Sequence, residues 1–226
     1  MQNLNINIVN EDIAANNEWV IVSGGVAPLG KELEAIYQAR HLICADSGAN
    51  HLFRLGVLPE LILGDLDSVE QSVHEYFAVQ GVRIISYPAK KDITDTQLAL
   101  DYALENGAKR MTIVAASGGR IDHFLANIQL LMRYNNDLVC LMLVSGDSTA
   151  YLCKDTVGVK GCVGDLLSVL PLTPTISKVN LSGLAYPLVD AEIEMGNTTG
   201  ISNEFISDFA TISIGKGTAM IIHTVI

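Results

Sequence analysis

Six aspartates, Asp46, Asp65, Asp67, Asp92, Asp95 and Asp122, fall in four short segments, each just after a run of apolar residues. The segments read Ala45-Asp46-Ser47-Gly48-Ala49, Gly64-Asp65-Leu66-Asp67-Ser68, Lys90-Lys91-Asp92-Ile93-Thr94-Asp95 and Ser117-Gly118-Gly119-Arg120-Ile121-Asp122-His123. Any one of these acids is explained by helix capping, because Asp, Ser and Thr are preferred N-caps. Capping needs one residue per helix, however, and Asp65 with Asp67, then Asp92 with Asp95, supply pairs. Crowded carboxylates repel one another unless a cation lies among them. Hard oxygen ligands of this kind suit Mg²⁺, which keeps some of its waters and bridges to substrate phosphates. Arg120 follows two glycines at the start of a helix-like segment. Glycines permit close backbone approach, a helix N-terminus favours an anion, and guanidinium pairs bidentately with phosphate oxygens. Together these residues point to magnesium-dependent transfer of a phosphorus-containing group from a nucleoside triphosphate. A further loop, Ser23 to Gly30, could also cradle nucleotide; it fits neither a Walker A nor a G-x-G-x-x-G pattern, so by itself it shows only a permissive turn.

Residues so far apart in sequence meet only if the chain returns them to one edge. The apolar runs Trp19 to Ser23, His41 to Ala45, Leu61 to Gly64, Val82 to Tyr87, Met111 to Ala116 and Leu138 to Val144 are short and lack clean polar alternation. That is the pattern of strands buried on both faces. Helix-like stretches separate them. Asp95 to Asn106 offers Leu98, Tyr102 and Leu104 as a buried face, with Gly107 as C-cap, and Asp122 to Tyr134 offers Phe124, Leu125, Ile128, Leu131 and Met132. Strands alternating with helices predict an α/β domain over 1–145, a mostly parallel Rossmann-like sheet with flanking helices. In such sheets ligands bind at the carboxyl ends of the strands, where the aspartates stand. Beyond Gly146 the chain is rich in turns and short alternating runs, predicting a smaller all-β sandwich over 146–226.

With 14 Lys+Arg against 25 Asp+Glu the net charge is −11, which disfavours nucleic acid as a partner. The 49% hydrophobic and 17% charged composition is that of a globular protein. The amino-terminal stretch lacks a signal-peptide pattern and no apolar run is long enough to span a membrane, so a cytoplasmic location is expected. Cys44, Cys140, Cys153 and Cys162 show no C-x-x-C spacing, and Cys44 and Cys140 are expected to be small buried hydrophobes.

The four loops, followed in order by Gly-Leu-Ala-Tyr-Pro-Leu at 183–188 and Gly-Ile-Ser-Asn-Glu at 200–204, resemble the thiamine pyrophosphokinase family over nearly the whole chain. The resemblance implies transfer of an intact pyrophosphoryl group from ATP to the hydroxyl of thiamine, giving thiamine diphosphate and AMP. It also implies a homodimer with the active site between subunits. Asp65, Asp67 and Asp95 become Mg²⁺ ligands, with Asp46 completing the metal and substrate site. Lys91, Thr94, Gly118, Gly119, Arg120, Asp122 and His123 would hold the nucleotide, Asp122 by orienting Arg120 or by touching the metal shell. Asp92 or Asp95 would accept the hydroxyl proton, and Ser202 and Asn203 would lie against the pyrimidine ring. Tyr186 and Phe205 are the aromatic residues nearest that loop. Two other chemistries fit part of the pattern. Leu61 to Val69 matches the D-x-D-x-[TV] run of aspartyl-phosphate phosphatases, and D-x-D also occurs in nucleotide-sugar transferases. A nucleotide-sensing module without turnover is the non-enzymatic alternative.

Overall fold

A computed structural model describes residues 7–8, 17–118, 120–136 and 138–226. The chain runs β1 (Asn7–Ile8), β2 (Glu18–Val22), α1 (Lys31–Gln38), β3 (His41–Ala45), α2 (Gly48–Leu55), β4 (Leu61–Gly64), α3 (Gln71–Val79), β5 (Arg83–Ser86), α4 (Asp95–Glu105), β6 (Arg110–Val114), α5 (Ile121–Tyr134) and β7 (Cys140–Ser145). It continues as β8 (Ser148–Cys153), β9 (Thr156–Lys160), β10 (Leu166–Pro171), β11 (Thr175–Ser182), β12 (Leu188–Glu194), β13 (Asn203–Glu204), β14 (Phe209–Ser213) and β15 (Ala219–Thr224). Two compact units result. One spans Ile13–Gly146; the other comprises Asp147–Ile226 together with β1.

In the first unit six parallel strands lie in the order β7-β6-β2-β3-β4-β5. All six apolar runs are strands, so the expected α/β sheet is observed. The inner strands are buried along nearly their whole length, as two covered faces require. β5 differs: it is the edge strand, and its four residues are exposed or half-buried. One core layer joins Val20, Val22, Leu42, Cys44, Ile62 and Val114 to Ile36 of α1, Leu52 of α2 and Phe77 of α3. Cys44 is wholly buried there, which pushes its thiol pKa up; Cys140 is only half-buried, and all four cysteines are free.

Helix positions follow the expectation more closely than helix faces do. α4 buries Thr96, Ala99, Leu100 and Ala103, while Leu98 and Tyr102 are half-buried and Leu104 is exposed. The buried face of α4 is thus built from Ala99, Leu100 and Ala103 rather than from Leu98, Tyr102 and Leu104. α5 likewise buries Asn127, Leu130, Leu131 and Tyr134, and leaves Leu125 and Met132 exposed. Gly107 does take the left-handed conformation after α4 (φ 90°).

The second unit holds β strands and no helix among its described residues. One run of strands is β13-β10-β15-β8, antiparallel where registered, and a second sheet has the order β1-β9-β14-β11-β12. Each has a buried face, for example Leu167 and Val169 on β10 and Ala210 and Ile212 on β14. β1 pairs in parallel with β9, so this amino-terminal strand belongs with the second unit and not with the parallel sheet.

Candidate active site

The chain leaves β2 in two directions across the sheet, through β3 to β5 on one side and through β6 and β7 on the other. Loops at such a reversal diverge and open a crevice at the carboxyl ends of the strands. Here the crevice is a cavity of about 410 Å³. Ser23 to Val26 line it after β2, Asp46 and Ser47 after β3, Thr94 to Thr96 at the start of α4, and Ala116, Gly118, Arg120 and His123 after β6.

None of the aspartates is needed to cap a helix. The N-cap residues of α2, α3 and α5 are Ser47, Glu70 and Arg120, none making a side-chain cap bond, and α4 is capped by Thr94, whose hydroxyl accepts from Gln97 N–H at 3.2 Å. The bland explanation for these acids therefore fails, loop by loop.

Instead, Asp46, Asp65 and Asp67 each bring one carboxylate oxygen within 4.8 Å of the others. Asp46 takes a left-handed conformation (φ 47°) directly after β3, with its N–H on the carbonyl of Leu63 at 2.8 Å. Leu66 is also left-handed (φ 64°), which folds the Asp65–Asp67 turn so that Asp67 N–H donates to Asp65 Oδ1 at 3.3 Å. Such backbone in a non-glycine residue costs about 1 kcal/mol each. Buried Asn50 of α2 holds this turn in place, donating to Ser68 O at 3.0 Å and accepting from Glu70 N–H at 3.1 Å. At Gly64 a Cβ would stand 3.0 Å from both Asp46 Cβ and Asp95 Oδ1, so only glycine leaves the acids room.

Burial pushes the Asp46 carboxyl above its ordinary pKa, and the charges of Asp95, Asp65 and Asp67 push the same way, against the Ser47 N–H. Its Oδ1 is buried without a hydrogen-bond partner. Three converging carboxylates with an unsatisfied buried oxygen fit a hard divalent cation such as Mg²⁺. Asp95 is engaged differently: its Oδ1 pairs with Lys91 Nζ at 3.1 Å, and Lys91 also reaches Asp65 Oδ2 at 3.8 Å. The acids that converge are thus Asp46, Asp65 and Asp67, with Asp95 beside them under a lysine.

Arg120 forms a bidentate pair with Asp122, Nη2 to Oδ2 at 2.6 Å and Nε to Oδ1 at 3.2 Å, on the exposed rim. The pairing holds the Asp122 carboxyl below its usual range. Gly118 is left-handed (φ 89°), and His123 lines the cavity beside Arg120. Gly119 lies outside the described residues. Asp92 is exposed and is not among the lining residues, unlike Asp95.

The other expected residues lie in the second unit. Ser202 is exposed and left-handed (φ 53°), its N–H donating to Ser168 Oγ at 3.0 Å. Asn203 is buried, and its amide clamps Tyr186, donating to the Tyr186 carbonyl at 2.7 Å and accepting from its N–H at 2.9 Å. Both polar atoms of that side chain are engaged on the loop itself. Phe205 is fully buried core, whereas Tyr186 is largely exposed.

Several lining side chains had no expected role: the hydroxyls of Ser23 and Thr96, which share a 2.8 Å hydrogen bond, and the amide of buried Asn127, which donates to Ala116 O at 3.3 Å. A polar Asn127 among the buried positions of α5 was the available sequence signal. Ser23 and Thr96 gave none, since strand ends and helix starts commonly carry hydroxyls.

The chain matches two family models, "Thiamin pyrophosphokinase, catalytic domain" over residues 33–143 and "Thiamin pyrophosphokinase, vitamin B1 binding domain" over 156–219. It is 32% identical over 209 residues to the thiamine pyrophosphokinase of Bacillus subtilis, covering 90% of this chain and 97% of that protein. The crystal structure of a Bacillus subtilis thiamine pyrophosphokinase superposes with a TM-score of 0.83 at 30% identity, covering 92% of this chain and 99% of that one. A thiamin pyrophosphokinase family protein from Enterococcus faecalis superposes with a TM-score of 0.77 at 31% identity, covering 92% and 98%. These matches give no support to the phosphatase, nucleotide-sugar transferase or sensing-module alternatives.

Proposed function

The chain belongs to the thiamin pyrophosphokinase family, transferring a pyrophosphoryl group from ATP to thiamine to give thiamine diphosphate and AMP, and from that premise we propose which of its residues do so. The observation that carries the assignment is the convergence of Asp46, Asp65 and Asp67 around a buried carboxylate oxygen without a partner, no aspartate being spent on a helix cap. These three acids would hold Mg²⁺, with Asp95 close by. A bound Mg²⁺ would supply charge neutralisation on the polyphosphate.

The rest falls to the chain's own groups. The cavity takes the nucleotide, with Gly118 and the α5 start bringing main-chain N–H groups and Arg120 a guanidinium to its phosphates, as a glycine turn entering a helix favours. Asp122 holds Arg120 in orientation. The thiamine hydroxyl oxygen attacks the β-phosphorus as the bond to the α-phosphate oxygen breaks, so in-line placement accounts for most of the rate. Asp95, on the cavity wall, is better sited than exposed Asp92 to accept the hydroxyl proton. Lys91 keeps Asp95 turned toward the acids.

Nucleotide and metal handling belong to Ile13–Gly146 and thiamine recognition to Asp147–Ile226, where the vitamin B1 binding model matches. Exposed Ser202 and Tyr186 would meet the thiamine rings, with Asn203 as the brace beneath them. The chain works as a homodimer whose active site draws on both subunits, and a cytoplasmic location suits its use of ATP. Among the described residues no helix is long and apolar enough to cross a membrane.

The deciding experiment incubates the protein with ATP, Mg²⁺ and thiamine and identifies the products by mass. Equal amounts of thiamine diphosphate and AMP are expected, abolished by EDTA and by Asp67→Asn. Full turnover in EDTA, or in the Asp67→Asn variant, would remove the metal assignment.

A further inference from the structure

Glu32 is a carboxylate that the pyrophosphoryl transfer does not use, and it is 1% exposed in the first turn of α1. Burying an ionised acid is expensive unless several donors reach it. Three do, all from the main chain and from three separate segments. Oε1 accepts from Ala115 N–H at 2.8 Å, and Oε2 from Gly146 N–H at 3.0 Å and Leu29 N–H at 3.2 Å.

The Ala115 contact reaches the cavity. The last main-chain bond from β6 to the end of β2 is Ser23 N–H to Val114 O, at 3.0 Å. One residue later Ala115 turns left-handed (φ 51°), its N–H on Glu32 and its carbonyl accepting from Gly25 N–H at 2.7 Å. Val26 N–H then donates to Ser117 O at 2.9 Å. The two loops are in such close register that a Cβ on Gly25 would lie 2.3 Å from Ser117 O and 2.5 Å from Ala115 O. Gly25, Val26, Ala116 and Gly118 line the cavity on either side of this seam. Alanine does not hold a left-handed turn unaided, and the acid is the group that pulls the Ala115 N–H into it.

We propose that Glu32 is a positioning residue for the nucleotide, fixing the spacing of the Ser23–Val26 and Ala116–Gly118 loops through the left-handed turn at Ala115. This rests on the reading that the cavity takes ATP. It predicts a selective defect. Glu32→Gln keeps the shape but sets an amide N–H against main-chain N–H groups, so KM for ATP and Kd for α,β-methylene ATP rise about tenfold. At saturating ATP, kcat and KM for thiamine stay within about twofold, because the aspartate loops are untouched. Glycine takes a left-handed turn without help, so Glu32→Gln combined with Ala115→Gly recovers most of the lost affinity.

Calorimetric titration with α,β-methylene ATP, alongside steady-state kinetics, tests this. A Glu32→Gln enzyme with unchanged KM for ATP, and kcat reduced only in step with its folded fraction, would show a purely structural acid and overturn the proposal. Failure of Ala115→Gly to restore binding would overturn the route through Ala115. If Glu32→Gln does not fold, Glu32→Asp, which keeps the charge but is one methylene shorter, carries the same readouts. Arg120→Ala separates the two claims. Analogue binding lost there but kept in Glu32→Gln sinks the Glu32 inference alone, whereas binding kept in both sinks the cavity reading and this inference with it.

Discussion

At the scale of single residues the site is a set of local costs that make sense only with a ligand present. Asp46 carries a strained backbone, a buried oxygen without a partner and a carboxyl pushed above its ordinary pKa by burial and by three neighbouring acids. A raised folded-state pKa means that the metal-free fold has this group's full stability below the unfolded aspartate value, about 3.9. That stability is lost as pH rises through the folded value. A cation that replaces the proton should restore it. Mg²⁺ is therefore expected to raise Tm more at pH 8 than at pH 4.5, and Asp46→Asn should melt higher than the parent in EDTA at pH 8. The same variant should lose at least about a hundredfold in kcat, the scale of one lost electrostatic contact at a reacting phosphate. Thermal melts at the two pH values check the first part. A Mg²⁺ effect independent of pH would count against Asp46 as a ligand. The acids themselves were legible because capping could not account for pairs. Glu32 was not, since a glutamate in the first turn of α1 looks like ordinary complementation of the helix dipole.

Elements show where pattern reading succeeds and where packing overrides it. The six parallel strands were readable because strands covered on both faces leave uninterrupted apolar runs. Beyond Gly146 only a turn-rich region of short alternating runs was readable, and β8, β9 and β12 least of all, because their buried residues mix with Ser, Thr, Gly and acidic residues. The same blindness hid the junction at Asp165. Its Oδ2 takes Cys162 N–H at 2.9 Å and His223 Nε2 of β15 at 2.9 Å, its Oδ1 takes Ile226 N–H at 3.3 Å, and its main-chain oxygen takes Phe205 N–H at 2.9 Å. Burial raises the Asp165 pKa, but these donors outweigh it and hold the carboxyl below its ordinary value. A depressed folded-state pKa contributes stability above the unfolded value that is lost as pH falls through the folded one. Asp165→Ala removes the carboxylate that His223 and two main-chain N–H groups share, at a cost of about 3 kcal/mol near pH 7. The cost should shrink as pH falls through the folded-state value, where the parent loses the same interaction. Urea midpoints across the acid range measure this, and a penalty that never falls as the carboxyl is protonated would mean the charge is not what holds the junction. Because His223, released from the carboxylate, packs against Phe205 with ring centroids 5.2 Å apart, and Phe205 follows the Ser202 loop, the variant should also raise KM for thiamine.

For the whole molecule the question is how the proposed site residues, divided between two units, could serve one reaction. The aspartates, Lys91 and Arg120 all belong to Ile13–Gly146, while Tyr186 and Ser202 belong to Asp147–Ile226. A nucleotide centre alone would hydrolyse ATP or wait, since the attacking hydroxyl has to be held in line with the β-phosphorus. If both units of one chain served the same centre, each damaged chain would stay damaged whatever it met. In a homodimer with shared sites, one chain supplies the acids and its partner the ring-binding loop. Asp67→Asn and a Tyr186→Ala/Ser202→Ala variant are then each close to inactive alone, for opposite reasons. Mixed in equal amounts, unfolded and refolded together, they form hybrid dimers in which one of the two sites has an intact half from each chain. With random pairing, about a quarter of the sites become intact, and activity should return to that level. Refolding each variant separately and then combining them on ice, so that subunits do not exchange, should give no recovery. Recovery near a quarter, with a dimer by light scattering, fits a site drawn from both subunits. An inactive mixture that is dimeric and fully folded would assign both halves of the site to one chain.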